Sequence, residues 1–347
     1  MEERYFAASN SSRGFISYFD KIFDPSLLEH IYIIKGGPGT GKNYFMRNIA
    51  EAAENKGKKV VGYYCSSDQN SLDGIIIDDR IAVIDGTAPH DADADIPGAV
   101  QDIVDLGVFW DTRALSDNRE LITKINAEKK KHYSRAYKYL AAYHEISEAA
   151  EKLVVPIIDI KKIRKSVQSI MKSVNDGKAY MQKIALCDSV GMEGRVRFDS
   201  FEKKASKIYR IGDLFDTANI YLSVVAEVAR SKKLSVTLSY DPINSDKLDA
   251  VFLDDEKILF SARGDRENEA LIKNISMARF LPSCELSKVR SRLKNAMKLR
   301  ALMLEETMLA LSEVKEEHFR LEGLYKSAMD FEKKEKFTEN FIKKLFG

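Results

Sequence analysis

Hydrophobic positions follow two regimes along the chain, and the same succession of regimes occurs twice. Short apolar, β-branched runs come first: His30-Ile31-Tyr32-Ile33-Ile34, then Lys59-Val60-Val61-Gly62-Tyr63-Tyr64-Cys65, then Ile81-Ala82-Val83-Ile84. Such runs suit strands of a parallel sheet covered on both faces. Between the first two, Tyr44, Phe45, Ile49, Ala52 and Ala53 recur at helical spacing, with Arg47, Glu51 and Glu54 on the other faces, which predicts an amphipathic helix. From about Asp117 to Met181, and again from about Leu286 to Phe346, Gly and Pro become scarce and the periodicity is helical throughout. In the first stretch Tyr133, Ala136, Tyr137, Leu140, Tyr143, Ala150 and Leu153 form an apolar stripe, and Pro156 breaks it before a second helix from about Ile157. In the second, Met297, Leu304, Leu311, His318 and Tyr325 recur every seven residues, with Val314, Leu321 and Ala328 offset by three, the spacing of coiled-coil packing. Both stretches are expected to be helical hairpins, with His318 a core or boundary histidine.

A shift of 212 − 36 = 176 residues sets the chain against itself without a gap from Gly36 to Asp79. Its identities include Gly36/Gly212, Asn43/Asn219, Asp73/Asp249 and Asp78/Asp254. The chain therefore reads as duplicated. The expected organisation is an α/β lobe over 1–115, a helical hairpin over 116–190, a second lobe over 191–284 and a second hairpin over 285–347.

Gly36-Gly37-Pro38-Gly39-Thr40-Gly41-Lys42-Asn43 joins the first strand to the first helix. It matches the phosphate-binding P-loop in every position except the last, where Ser or Thr normally ligates Mg²⁺. The glycines let successive amides turn inward, Lys42 reaches toward β- and γ-phosphates, and the helix N-terminus favours an anion. Gly37, Pro38, Gly39, Thr40, Gly41, Lys42 and Asn43 are the candidate nucleotide-binding residues. Asn43 offers a metal only an amide oxygen, so binding and turnover are separate expectations. The second copy, Gly212-Asp213-Leu214-Phe215-Asp216-Thr217-Ala218-Asn219, lacks the later glycines and the lysine. Two carboxylates and two bulky side chains are expected to keep it free of nucleotide.

Asp85 ends the third strand, where α/β folds bind ligands, and is the candidate partner of Lys42 and of Mg²⁺. By the same shift it falls on Ser261, so the second copy has lost both groups together. His90, in Gly86-Thr87-Ala88-Pro89-His90, is a candidate for orienting water, as are Asp78 and Asp79. Asp73, Asp78 and Asp79 persist in the second copy and are read as serving turns and caps. Asp91, Asp93 and Asp95 read as a solvated acidic loop, since no EF-hand pattern completes them. Arg263 and Arg266 read first as surface charges and second as arginine fingers crossing between lobes.

Composition narrows the classes. With 347 residues and 44% hydrophobic content the chain can build two cores. Its 55 basic and 53 acidic residues leave a charge of +2, which excludes general nucleic-acid binding as an expectation. Lys129-Lys130-Lys131 and Lys161-Lys162-Ile163-Arg164-Lys165 read as solvated helix faces. No apolar run approaches the roughly 20 residues that span a bilayer. Cys65, Cys187 and Cys284 lack metal or disulfide spacing. A cytoplasmic protein is expected.

Tyr32-Ile33-Ile34-Lys35-Gly36-Gly37-Pro38-Gly39-Thr40-Gly41-Lys42, Ser66-Ser67-Asp68, Ser71-Leu72-Asp73-Gly74, Asp85-Gly86-Thr87-Ala88-Pro89-His90 and Ser327-Ala328-Met329-Asp330-Phe331 together resemble a bacterial family of tandem P-loop ATPase-like proteins. The likeness spans nearly the whole chain, although Asn43 and Ala218 depart from the family pattern. It implies an α/β fold of tandem P-loop NTPase-like lobes with parallel sheets, each followed by a long helical hairpin, the second lobe degenerate. It supports nucleotide binding; the first reading built on the loop residues is ATP or GTP with Mg²⁺ in the first lobe, hydrolysed slowly. Two other readings stand beside it: a non-hydrolysing, nucleotide-responsive module that meets a protein partner through the helical hairpins, and a P-loop small-molecule kinase.

Overall fold

The computed structural model describes residues 1–90, 92–263 and 272–347. The first half runs β1 (Glu3–Phe6), β2 (Ala8–Ser11), β3 (Gly14–Ser17), α1 (Phe19–Ile22), β4 (His30–Lys35), α2 (Lys42–Asn55), β5 (Val60–Tyr64), β6 (Leu72–Ile77), β7 (Ile81–Asp85), β8 (Gln101–Asp105), α3 (Thr112–Asp117), α4 (Arg119–Val154) and α5 (Ile160–Met171). The second half follows as β9 (Met181–Ile184), β10 (Asp188–Gly191), β11 (Gly194–Arg197), α6 (Ser200–Lys204), β12 (Lys207–Gly212), α7 (Ala218–Ser231), β13 (Ser235–Tyr240), β14 (Leu248–Leu253), β15 (Ile258–Ser261), β16 (Ile272–Ser276), α8 (Ser283–Ser327) and α9 (Phe331–Phe346). The sheets are ordered β1-β5-β6-β7-β4-β8 and β9-β13-β14-β15-β12-β16. Position by position these are one topology, so the repeat extends far beyond residues 36–79.

The sheets are mixed where parallel ones were expected. β4 lies parallel to β7 and β8, but β6 is antiparallel to both β5 and β7. The physical reason is the link between β6 and β7, Asp78-Asp79-Arg80, far shorter than the dozen or more residues of a parallel crossover. Asp78 and Asp79 turn the chain with φ of 52° and 55°, the left-handed region that Asp tolerates better than most residues.

Alternation along β4 organises the layers. Ile31 and Ile33 point into a core shared with Ile208, Ala250, Phe252 and Leu259 of the second sheet, while Ile34 faces Phe45, Met46 and Ile49 of α2. The two sheets thus bury one face each against the other half. The outer faces are covered by α2 and α9 on the first sheet and by α7 and α5 on the second.

The helical stretches do not close on themselves as hairpins. α4 packs along α8, running antiparallel: His132 Nδ1 lies 2.7 Å from Glu313 Oε2, and Arg300 sits 4.5 Å above the Tyr143 ring. Their stripes meet in one core of Ala136, Leu140, Tyr143, Ala310, Leu311 and Val314. Each long helix leaves its own lobe, and the short helix after it seats on the other lobe's first long helix, α5 on α7 and α9 on α2. Residues 181–190, assigned to the segment of the first hairpin, instead hold β9 and all but the last residue of β10. Among the described residues no helix is long and apolar enough to cross a membrane.

Candidate functional site

Because β4 and β7 are parallel and Ile34 pairs with Asp85, the loop after β4 and the end of β7 emerge side by side. Gly39 and Gly41 hold φ of 73° and 81°, and Gly41 is the residue before α2. Thr40, buried, donates from Oγ1 to the Gly37 carbonyl at 2.9 Å and ties the loop across its base. Among the described residues no acceptor meets the backbone N–H groups from Gly39 through Asn43. Lys42 Nζ donates to the carbonyls of Gly36 at 2.8 Å and Gly37 at 2.9 Å and lies 3.6 Å from Asp85 Oδ2. Asp85 Oδ1 accepts from Thr87 N at 2.9 Å and Thr87 Oγ1 at 2.6 Å. Burial pushes the Asp85 carboxyl above the usual range, against the opposing pull of Lys42.

Asn43 turns its side chain elsewhere. Its Oδ1 accepts from Arg47 Nε at 3.1 Å and Leu72 N at 3.2 Å. The oxygen considered for a metal is thus engaged by two protein donors. His90 lines the same cleft as Lys42, with its ring stacked on Phe19 at 4.1 Å and Nε2 2.9 Å from Asp73 Oδ2. Asp73 therefore serves neither turn nor cap: it lies in β6, buried, and faces the cleft. Asp78 does shape a turn, accepting from Lys59 N at 2.9 Å and pairing with Lys58 at 2.8 Å. Because β6 runs opposite to β7, Asp78 and Asp79 sit at the far end of the sheet from Lys42. Asp93 pairs with Lys35 at 2.7 Å, Asp95 is exposed, and Asp91 lies outside the described residues. Among the described residues no group of three His, Cys, Asp or Glu is arranged to hold a metal.

A cleft of about 1220 Å³ opens over the loop. Its other walls come from the β2–β3 hairpin, Met192 in the β10–β11 turn, α4 and α8. α8 also packs on the loop's back: a methyl group on Gly37 would come within 3.1 Å of the Tyr325 ring. Lys129, Lys130, Tyr133 and His318 line the cleft, and Tyr133 donates to Ser67 Oγ at 2.9 Å. Lys129, read as part of a solvated face, is half-buried in the cleft lining, while Lys130 lines it exposed and His318, read as a core or boundary histidine, is half-buried there. The available signal was spacing: Lys129 precedes Tyr133 by four, on the same helical face.

The corresponding loop of the second lobe is closed by its own charges. Asp213 Oδ1 accepts from Ala218 N at 2.9 Å, so a carboxylate meets the first amide of α7. Asp216, with φ of 65°, pairs with Arg300 at 2.9 Å and Lys247 at 3.4 Å, while Phe215 is buried in the core. Arg263 is neither a surface charge nor a finger: it binds Asp249 at 3.0 Å and Asp241 at 3.1 Å within its own lobe. Arg266 lies outside the described residues. Arg197 adds a 2.6 Å bond to Asp249 and one of 3.0 Å to Ser261, the counterpart of Asp85. The remaining cavity holds about 80 Å³.

Compared with family models, with curated proteins and with solved structures, the chain shows no match.

Proposed function

We propose that the first lobe binds a nucleoside triphosphate, ATP or GTP, together with Mg²⁺, and hydrolyses it slowly. The observation that carries this reading is the run of unpartnered amides from Gly39 to Asn43 at the start of α2, with the Lys42–Asp85 pair beside it. Inward amides and a helix dipole favour phosphate oxygens. Lys42 would exchange two carbonyl acceptors for charge-assisted bonds to phosphate, which are stronger. Asp85 is the carboxylate suited to hold hydrated Mg²⁺, which would neutralise phosphate charge when bound. His90, held by Asp73, is the group suited to orient water.

Titration with ATP and with GTP, each with and without Mg²⁺, tests this on the parent and on Lys42→Ala. Loss of the lysine is expected to weaken triphosphate binding by roughly tenfold or more. Equal affinity in the two proteins would overturn the reading.

Asn43 favours a second reading, a non-hydrolysing module whose nucleotide locks a conformation for a protein partner, because its amide oxygen is already engaged. Asn43→Ser separates the two. A large rise in turnover indicates a site drifted from catalysis, whereas unchanged, negligible turnover with retained binding supports the locking module.

A further inference from the structure

The first-lobe cleft carries positive charge that the lobe itself does not supply. α4 presents Asn126, Lys129, Lys130, Tyr133 and Tyr137 to it at helical spacing, and α8 contributes His318 and Glu322. Lys129 is half-buried, and among the described residues no carboxylate pairs with its ammonium. Its neighbours are committed elsewhere, Glu128 to Lys131 at 2.7 Å and Glu322 to Lys326 at 3.0 Å. Burial holds Lys129 below the usual lysine range, and the charge on Lys42 adds to the effect. His318 is held down in the same way, by burial and then by Lys129. Three cationic or potentially cationic groups thus converge from three elements.

Cations removed from water and facing one another without a counter-ion lower stability, and a bound anion relieves that cost. The second lobe provides the contrast. There the half-buried cations Lys247, Arg300 and Arg263 face the carboxylates of Asp216, Asp241 and Asp249. In the open cleft Lys42 has Asp85 at 3.6 Å and His318 feels Glu322 and Asp68, which leaves Lys129 as the half-buried cation with no carboxylate paired to it among the described residues.

We propose that Lys129, with His318 beside it, grips the terminal phosphate of the nucleoside triphosphate from the side opposite Lys42, tying the ligand to the α4–α8 pair. The inference rests on the nucleotide reading above and deepens it. A diphosphate held by the loop amides lacks the group that would face α4, so α4 and α8 report whether the third phosphate is present.

The test is the affinity of ATP and of ADP for the parent, Lys129→Gln, Lys129→Arg and Lys131→Gln. Lys131 is a control because it pairs with Glu128 and lies outside the cleft lining. Lys129→Gln is expected to bind ATP roughly tenfold more weakly while ADP changes by less than about twofold. Lys129→Arg should keep most of the ATP affinity, and Lys131→Gln should match the parent. Equal losses for both nucleotides, or none for either, overturn the proposal. If the parent binds neither nucleotide, the nucleotide reading falls and takes this one with it. If the parent binds ATP and Lys42→Ala weakens it, an unaltered Lys129→Gln removes this proposal alone.

Discussion

A methyl group added at Gly39 would meet the Glu322 carbonyl oxygen at 2.7 Å, whereas one added at Gly57 would meet nothing within 4 Å, although both residues hold φ of +73°. The two positions separate backbone strain from crowding. Ala in the left-handed region costs about 1–2 kcal/mol, and forcing an atom into a close-packed contact adds about 1–3 kcal/mol more. Gly39→Ala should therefore lower the urea midpoint clearly further than Gly57→Ala. Equal shifts would mean that α8 does not press on the loop. At this scale the placement of Lys42 beside Asp85 was legible because the motif is contiguous and both the loop and Asp85 sit at the ends of strands read from apolar runs. Asp73 and His90 were harder to read. Their 2.9 Å contact joins β6 to the segment after β7, and persistence of Asp249 in the second copy suggested a turn. The structure explains that persistence differently: each aspartate is a buried counter-ion, Asp73 for His90 and Asp249 for Arg197 and Arg263.

Elements were legible where periodicity alone decides them. α2, α4, α8, β4, β5 and β7 follow from apolar spacing, since most of each stripe is covered, although Tyr44 of α2 and Met297 of α8 are exposed. β6 was not assigned although Ile75-Ile76-Ile77 is apolar, because a parallel sheet was assumed and Gly74 weakens the run. The short Asp78-Asp79-Arg80 link carried the correction, being too brief for any connection but an antiparallel turn. Partner choice among the helices was a different problem. An apolar stripe states that a helix needs a partner and leaves the partner's identity open. Val155, Pro156 and Ile157 turn the chain after α4, which looks like the bend of a hairpin. α5 instead uses Ile163, Val167 and Met171 to cover Tyr221, Leu222 and Val225 of α7. The exchange matters for the site, since it brings α8 of the second half over the phosphate-type loop of the first.

The reciprocal exchange of helices makes the two halves mutually dependent. Phe337 and Phe341 of α9 lie against Phe45 of α2, with ring centroids 6.1 and 5.1 Å apart. Phe201 and Phe252 of the second half fill the core between the sheets beside Tyr5. The hairpins cross as well: Met192 N donates to the Ser67 carbonyl at 2.8 Å, and Ser12 N donates to the Ile243 carbonyl at 3.0 Å. A chain cut between Met171 and Met181 would leave the first half without α8, α9 and the opposing sheet, exposing the inner face of its own sheet and the part of the outer layer that α9 covers beside α2. Area-based burial at about 25 cal/mol per Å² is then lost over the whole inner face and under α9, while the chain entropy to be overcome per residue is unchanged. Each half expressed alone is expected to lack a cooperative urea transition, and mixing the two should restore one together with any nucleotide affinity of the intact chain. An isolated first half that unfolds cooperatively at the midpoint of the whole protein would show that the exchanged helices are dispensable. The cleft would then have to be explained from one lobe, with no part for α8.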